Sequence, residues 1–162
     1  MIIRKATKQD LTTIHTLAHE IWWPTYQSFL SKEQISFMLN KSYSEAALEE
    51  QMNENVIFLL GERNDTAVAF AGYLLNLTNR ICNLHKLYIL PSEQGKGTGK
   101  TLINHIMEIS QEAGANTLEL NVNRNNPAVG FYKASGFEIF QEVDIPYYGF
   151  VLNDFVLRKR LG

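Results

Sequence analysis

A strand, a glycine-rich loop and a helix follow one another near the middle of the chain, and this segment constrains the fold more than any other. The apolar run Leu87–Leu90 stops at Pro91, and glycines then occupy three alternate positions, Gly95, Gly97 and Gly99. Apolar residues spaced three and four apart after the loop predict a helix. The first N–H groups of such a helix lack partners within it, and the helix dipole places about half a positive charge there. The loop is therefore predicted to bind an anion, most simply a phosphate group.

The length and composition are those of an ordinary globular protein. The chain has 162 residues, a formal net charge of −2, 45% hydrophobic residues and 20% charged residues. This length predicts a single domain over residues 1–162. The charge gives no sign of nucleic-acid binding, no apolar run approaches about 18 residues, and no signal-peptide pattern is present, so a cytoplasmic protein is expected. The lone cysteine, Cys82, allows no intrachain disulfide.

Hydrophobic periodicity predicts a mixed α/β sheet with helices on its faces. The predicted order is a strand, two or three helices, three strands, a helix, a strand, a helix and two strands. Pro24 is expected to interrupt the aromatic segment after the first helix, and residues 144–149 are expected to connect the last two strands. The predicted strands are Ile2–Lys5, Val56–Gly61, Ala67–Leu77, Ile81–Leu90, Thr117–Val122, Phe137–Val143 and Phe150–Leu157.

Two common nucleotide-binding motifs fail at the glycine loop. The ending Gly99-Lys100-Thr101 suits a P-loop, but that motif needs glycine where Gln94 stands. A dinucleotide fingerprint beginning at Gly95 would need glycine or alanine at Lys100. The loop therefore belongs to neither class.

A third pattern fits without adjustment. Gln94-x-x-Gly97-x-Gly99 matches the Gln/Arg-x-x-Gly-x-Gly/Ala signature of the GCN5-related N-acetyltransferases. Downstream, the segment from Asn125 to Phe137 resembles that family's Asn-x-x-Ala-x-x-x-Tyr-x-x-x-Gly-Phe motif. The order of elements is also similar, so the resemblance covers nearly the whole chain. It implies the family's fold: about seven mostly antiparallel strands, helices on both faces, and a splayed pair formed by the fourth and fifth strands.

The resemblance implies that the chain binds acetyl-CoA and moves its acetyl group to a primary amine, with no metal. The pantetheine arm would pair with backbone groups of the fourth strand, and the glycine loop would hold the pyrophosphate. The residues implied in cofactor binding are Leu87, Tyr88, Ile89, Gln94, Gly95, Lys96, Gly97, Thr98, Gly99, Lys100, Asn121, Asn125, Asn126, Phe131 and Tyr132.

Tyr132 occupies the family's position for the general acid, which protonates the departing CoA thiolate. The general base stays unresolved: relatives use a carboxylate on the fourth or fifth strand, or a water chain, and two residues of this chain are candidates. His85 titrates in the useful pH range, and Glu119 is a carboxylate on the fifth strand. Direct transfer in a ternary complex is expected, because nothing in the sequence activates Cys82 as a nucleophile.

The acceptor is predicted to be a small amine or a polyamine, because the chain loosely resembles bacterial polyamine-type members of the family. Aromatic side chains together with an acid can hold a cationic amine. The alternatives are a protein or peptide acceptor, at an N-terminus or a lysine, and a non-catalytic module that only binds acyl-CoA. A homodimer is also compatible with the resemblance. The predicted acceptor-binding residues are Trp22, Trp23, Tyr26, Asp144, Tyr147 and Tyr148.

Overall fold

The computed structural model describes all 162 residues, which form seven strands and five α-helices. The strands have the order β1-β2-β3-β4-β5-β7-β6 in one sheet, so the predicted mixed α/β architecture is confirmed. No helix combines the length and apolar character that a membrane span requires. The elements in chain order are β1 (Ile2–Lys5), α1 (Leu11–Tyr26), α2 (Lys32–Tyr43), α3 (Glu45–Asn53), β2 (Ile57–Arg63), β3 (Thr66–Asn76), β4 (Ile81–Ile89), α4 (Thr98–Glu112), β5 (Thr117–Asn123), α5 (Ala128–Ala134), β6 (Glu138–Tyr147) and β7 (Phe150–Arg160).

Local capping signals place the starts of the N-terminal helices. The Ser31 hydroxyl accepts the Gln34 N–H at 3.1 Å and begins α2. The Ser44 hydroxyl accepts the Ala47 N–H at the same distance and begins α3. A serine at this position satisfies one of the orphan N–H groups of a helix, and such a cap typically contributes about 1 kcal/mol.

Pro24 does not interrupt the chain where the sequence predicted. It lies exposed inside α1, which continues to Tyr26. A proline inside a helix costs about 3 kcal/mol. The same turns bury Trp22 to 4% exposure and Tyr26 to 8%, and each buried aromatic side chain contributes several kcal/mol at roughly 25 cal/mol per Å². Burial of the aromatic side chains therefore outweighs the local preference of proline.

The last two strands are longer than predicted. They pair antiparallel up to Tyr147↔Phe150, which leaves only Tyr148 and Gly149 in the turn. These two residues have φ of 48° and 84°, the conformation whose twist matches that of the flanking strands. Asp144 consequently lies on β6 opposite Asn153 and not in a connecting loop, which corrects the prediction for residues 144–149.

One compact unit consists of Met1–Leu74 and Lys86–Asn104. In it β1 pairs antiparallel with β2, and β2 pairs antiparallel with β3. Apolar side chains from α1, α2 and α3 pack against side chains of β2 and β3. The largest fully buried members of this core are Ile14, Ile21, Ile35, Leu39, Leu48, Phe58, Leu60 and Phe70.

The other compact unit consists of Leu75–His85 and His105–Gly162. Its parallel ladder joins Ile81–Leu84 of β4 to Thr117–Leu120 of β5. The ladder ends at Leu84↔Leu120, although β5 continues to Asn123 and pairs with β7 over its whole length. Leu118, Leu120 and Val122 of β5 are buried, as their alternation in the sequence predicts.

Candidate active site

The glycine loop presents open backbone. Gly95 and Gly97 have φ of +82° and +77°, and a Cβ atom added to either would meet no atom within 4 Å. The backbone N–H groups of Gly95, Gly97 and Gly99 make no hydrogen bond within the chain. A run of free N–H groups at a helix N-terminus suits a phosphate. The residues of the loop therefore fit the pyrophosphate of CoA.

A buried carboxylate, Glu93, organises this loop from the inside. Both of its oxygens accept the Arg63 Nε–H at 3.2 Å, and one accepts the Thr98 hydroxyl at 3.2 Å. The Lys96 ammonium lies 3.8 Å away. Burial opposes ionisation, but the hydrogen bonds from Thr98 and Arg63 and the Arg63 charge outweigh it and lower the pKa of Glu93. Sequence reasoning missed Glu93 and Arg63, because a carboxylate is not expected inside an anion-binding loop.

The predicted side chains of the loop differ in accessibility. Gln94, Lys96 and Lys100 are exposed, so their polar ends can reach a ligand. Thr98 is only 2% exposed and its hydroxyl is directed at Glu93. Any contact of Thr98 with a ligand would therefore use its backbone.

An aromatic cluster lies in the same compact unit, formed by Trp22, Tyr26, Tyr43, Phe70 and Tyr88. The Trp22 ring lies 4.3 Å from Tyr26, 5.5 Å from Tyr43 and 5.8 Å from Tyr88, between ring centres. The hydroxyls of Tyr26 and Tyr88 are hydrogen-bonded at 3.0 Å. Burial raises the pKa of Tyr43 far above its ordinary value, so its phenol stays neutral. Trp22 and Tyr26 therefore pack within this cluster. Their contact with an acceptor stays a prediction.

Two buried side-chain nitrogens of α1 lack hydrogen-bond partners. Trp22 Nε1 and His19 Nε2 make no hydrogen bond of good geometry, although the Trp22 N–H lies close enough to the Tyr43 hydroxyl to lower the pKa of that group. Burial, aided by the neighbouring His15, lowers the pKa of His19. His15 itself bonds the Tyr43 carbonyl at 2.8 Å. Trp23, the third aromatic residue predicted here, is half-buried against the core.

Lys86 of β4 is half-buried against the aromatic cluster, and sequence reasoning missed it. Its Nζ lies 5.2 Å from the centre of the Tyr43 ring and 5.9 Å from that of Phe58. Its stem packs on Gly72, where an added Cβ would lie 3.4 Å from Lys86 Cδ. Burial lowers the pKa of Lys86 to about 8. Since both ring distances approach the limit of about 6 Å for cation–π attraction, the rings compensate only weakly.

Tyr132 lies on α5 in the second compact unit and is 7% exposed. Its ring contacts Phe131 and Phe137, with centre distances of 5.3 and 5.5 Å. Its hydroxyl makes no hydrogen bond within the chain, and burial raises its pKa far above the ordinary value. The phenol is therefore protonated at neutral pH and free to donate to an external group.

The two neighbouring asparagines before α5 have different surroundings. The Asn126 side-chain oxygen accepts the N–H of Ala128, the first residue of α5, at 2.9 Å. The Asn125 side chain is exposed, while its backbone N–H bonds the Asn123 side chain at 2.8 Å. Asn121 of β5 is exposed as well. Asn125 therefore has the side chain better placed to contact a ligand.

The two predicted bases are not equivalent. Glu119 accepts the Arg158 Nε–H at 2.6 Å and forms an ion pair with it. His85 is exposed on β4.

One arginine offsets part of the acidic charge of the last hairpin. Arg124 Nη2 donates to Asp144 at 2.6 Å, and Arg124 Nε lies 3.4 Å from Glu142. Arg124 Nη1 also donates to the carbonyls of Val143 and Asp154, at 3.0 and 3.2 Å. The charge available there to attract a cationic acceptor is therefore smaller than the count of acidic residues suggests. Tyr147 is half-buried and Tyr148 is exposed, with their rings 4.8 Å apart.

The structure shows neither a metal-binding cluster nor an activated cysteine. No group of three or more His, Cys, Asp or Glu side chains is arranged to hold a metal ion. Cys82 is fully buried, and this burial raises the pKa of its thiol against a weaker opposing contact with Ser110. A buried thiol with a raised pKa is a poor nucleophile.

Known proteins with similar sequences and structures form a consistent set. A profile of the acetyltransferase (GNAT) family matches residues 14–137. Spermidine N(1)-acetyltransferase of Thermoplasma acidophilum is 30% identical over 165 residues, covering 98% of this chain and 96% of that protein. The crystal structure of PaiA N-acetyltransferase from T. acidophilum in complex with coenzyme A has a TM-score of 0.85 at 27% identity and covers 98% of each chain. A GCN5-related N-acetyltransferase from Rhodopseudomonas palustris also has a TM-score of 0.85, at 20% identity over 99% of this chain and 95% of that one, a likeness of fold alone.

The family match spans most of the chain, and the relative from T. acidophilum spans nearly all of it. The family and the fold predicted from the two motifs are thereby confirmed, as is the enzyme class. The chain belongs to the GNAT family of acetyltransferases and is an N-acetyltransferase that uses acetyl-CoA.

Proposed function

We propose that this enzyme transfers the acetyl group of acetyl-CoA directly to a primary amine of a small amine or polyamine, within a ternary complex. The observation that carries the acceptor class is the 30% identity to a spermidine N(1)-acetyltransferase over 98% of the chain. The exposed backbone of the glycine loop supports the cofactor assignment. Direct attack is supported by the inert surroundings of Cys82.

The proposed roles follow the chemistry of each residue. Free N–H groups of the loop, with Lys96 and Lys100, bind the pyrophosphate. Backbone groups from Leu87 to Ile89 pair with the pantetheine arm, and Asn121 and Asn125 contact the cofactor. Tyr132 donates its phenolic proton to the departing thiolate. Phe131 serves mainly to pack α5.

Aromatic and acidic side chains form the proposed acceptor contacts. A cationic amine is attracted by the faces of Tyr and Trp rings, which Trp23, Tyr147 and Tyr148 can supply. Asp144 contributes less than a free carboxylate would, because Arg124 is bonded to it at 2.6 Å. The homodimer and the cytoplasmic location stay predictions from the sequence.

A thiol-release assay at saturating acetyl-CoA tests the proposal. The acceptor panel comprises spermidine, a shorter diamine, a lysine-containing peptide and a peptide with a free N-terminus. The highest kcat/KM is expected for the polyamine. A higher kcat/KM for either peptide would mean that the acceptor is a protein or peptide. Tight CoA binding without turnover on any amine would mean that the protein is an acyl-CoA-binding module.

A further inference from the structure

The glycine loop contains a buried negative charge. Glu93 stands two residues before Gly95 in the chain, and it is only 4% exposed. Burial opposes ionisation of its carboxylate, but hydrogen bonds from Thr98 and Arg63 lower its pKa, so the group is charged at neutral pH. A buried carboxylate repels a phosphate group bound at the same loop unless a cation balances it. Binding of the CoA pyrophosphate at this loop therefore depends on a compensating positive charge.

Arg63 supplies that charge from a different element. It is the last residue of β2 and lies 30 residues before Glu93 in the chain. Its Nε lies 3.2 Å from both carboxylate oxygens, and its side chain makes no other hydrogen bond or ion pair. The Lys96 ammonium, the other cation near Glu93, lies 3.8 Å away, and its side chain is 54% exposed against 36% for Arg63. Arg63 is therefore the cation in direct contact with Glu93, whereas Lys96 stays more accessible to a ligand.

The contacts of Glu93 also fix the backbone that lies between them. Its carboxylate accepts the Thr98 hydroxyl at 3.2 Å, and its carbonyl accepts the Lys96 N–H at 3.3 Å. Within this span lie Gly95 and Gly97, with φ of +82° and +77°. Glycine has more backbone freedom than any other residue. The positions of the free N–H groups of these glycines consequently depend on the orientation of the carboxylate, which the ion pair holds.

We propose that Arg63 is a positioning residue for the pyrophosphate of CoA, on which it acts through Glu93 and not by direct contact. The guanidinium balances the carboxylate, and so it reduces the repulsion that the bound anion meets. It also orients the carboxylate, and so it keeps the free N–H groups of the loop in place. This role rests on the binding of the pyrophosphate at the loop that is proposed above. It adds a residue of β2 to a site that the sequence motif confines to the loop.

A double substitution separates this role from a structural ion pair and from direct binding of the anion. Arg63→Met removes the charge, keeps an unbranched stem and leaves the Glu93 carboxylate uncompensated. CoA affinity by calorimetry should fall roughly 10-fold or more, the scale of a lost charge-assisted hydrogen bond. Addition of Glu93→Gln to Arg63→Met removes the repulsion, so it should restore CoA affinity several-fold. Absence of any restoration would mean that Arg63 binds the anion itself or only stabilises the fold, and it would overturn the positioning role.

A comparison of two donors gives a second readout. S-acetylpantetheine has the thioester and the arm of acetyl-CoA but no diphosphate, so it offers the loop no anion. Arg63→Met should raise the KM for acetyl-CoA with little change in kcat, and kcat/KM for S-acetylpantetheine should stay close to the wild-type value. An equal loss with both donors would indicate a general folding defect and would overturn the proposal. Arg160→Met, at the exposed end of β7, is the matched control and should bind CoA as the wild type does.

Failure of acetyl transfer and failure of this role are distinguishable. Absence of wild-type turnover on every amine overturns the transfer reaction, whereas calorimetry with CoA needs no acceptor and still decides the role of Arg63. Melting curves show whether each variant is folded. If Arg63→Met does not fold, Arg63→Lys replaces it, because lysine keeps the positive charge. CoA affinity of Arg63→Lys within a few-fold of the wild type supports charge compensation, and a loss of roughly 10-fold or more overturns it.

Discussion

Arg63 Nε lies 3.2 Å from both carboxylate oxygens of Glu93, which joins the end of β2 to the loop that precedes α4. The Thr98 hydroxyl bonds the same carboxylate, so one buried acid connects both sides of the loop. The open N–H groups of Gly95 and Gly97 are thereby held in position before any ligand binds. A preorganised loop loses less conformational entropy on binding.

Glu93→Gln should destabilise the enzyme at neutral pH and weaken CoA binding, because the amide carries no charge for Arg63. The pKa of Glu93 is lowered in the folded protein, so its ionised form stabilises the fold above the ordinary value of 4.5. That contribution is lost as the pH falls through the lower, folded pKa. Thermal unfolding of both proteins across this range should therefore show a difference that narrows in acid. Glu112→Gln, exposed at the end of α4, is the control and should show no such difference.

Gly97→Ala should weaken CoA binding and also lower stability. An alanine at a φ of +77° costs roughly 1–2 kcal/mol, and the added methyl group projects from the open face of the loop. Gly114→Ala, at a φ of +109° with equally open space, imposes similar strain at the end of α4. Calorimetry should show reduced CoA affinity for the first variant alone. Equal affinities would mean that no ligand approaches Gly97.

Tyr132→Phe should lower kcat by roughly 100-fold or more, the scale of general acid catalysis. The KM for acetyl-CoA should change little. Stability should be retained, because the hydroxyl makes no hydrogen bond within the chain. Steady-state kinetics and a melting curve measure these quantities together. A wild-type rate for this variant would contradict the general-acid role. Tyr132 would then serve only to pack against Phe131 and Phe137.

Cys82→Ala should retain activity, because burial raises the pKa of this thiol and its contact with Ser110 does not offset that effect. Loss of the sulfur from a buried site should lower stability by about 1 kcal/mol.

Initial-velocity patterns of the wild type should intersect, as a ternary complex requires. Parallel patterns, or an acetylated enzyme detected by mass spectrometry, would contradict direct transfer.

Local signals were sufficient to predict many elements and the cofactor loop. Ser31 and Ser44 begin helices because a side-chain oxygen reaches an N–H group three residues away. Leu118 and Leu120 are buried because side chains alternate across a strand. The glycine loop was recognised from the spacing of its residues, and Tyr132 from the resemblance of its segment to a family motif. In each case the deciding interaction or periodicity spans only a few residues.

Tertiary structure decided the features that depend on residues distant in sequence. Burial of Trp22 and Tyr26 carries α1 through Pro24, and pairing with β7 extends β6 past Asp144. Arg63 and Glu93 are 30 residues apart in the chain. The sequence by itself determined where the backbone can turn, cap and approach an anion. Only the fold decided which charged groups form ion pairs. It also decided which of them, such as the Lys86 ammonium, are removed from water without a charged partner. Both outcomes depend on neighbours that are distant in sequence and that the fold brings together.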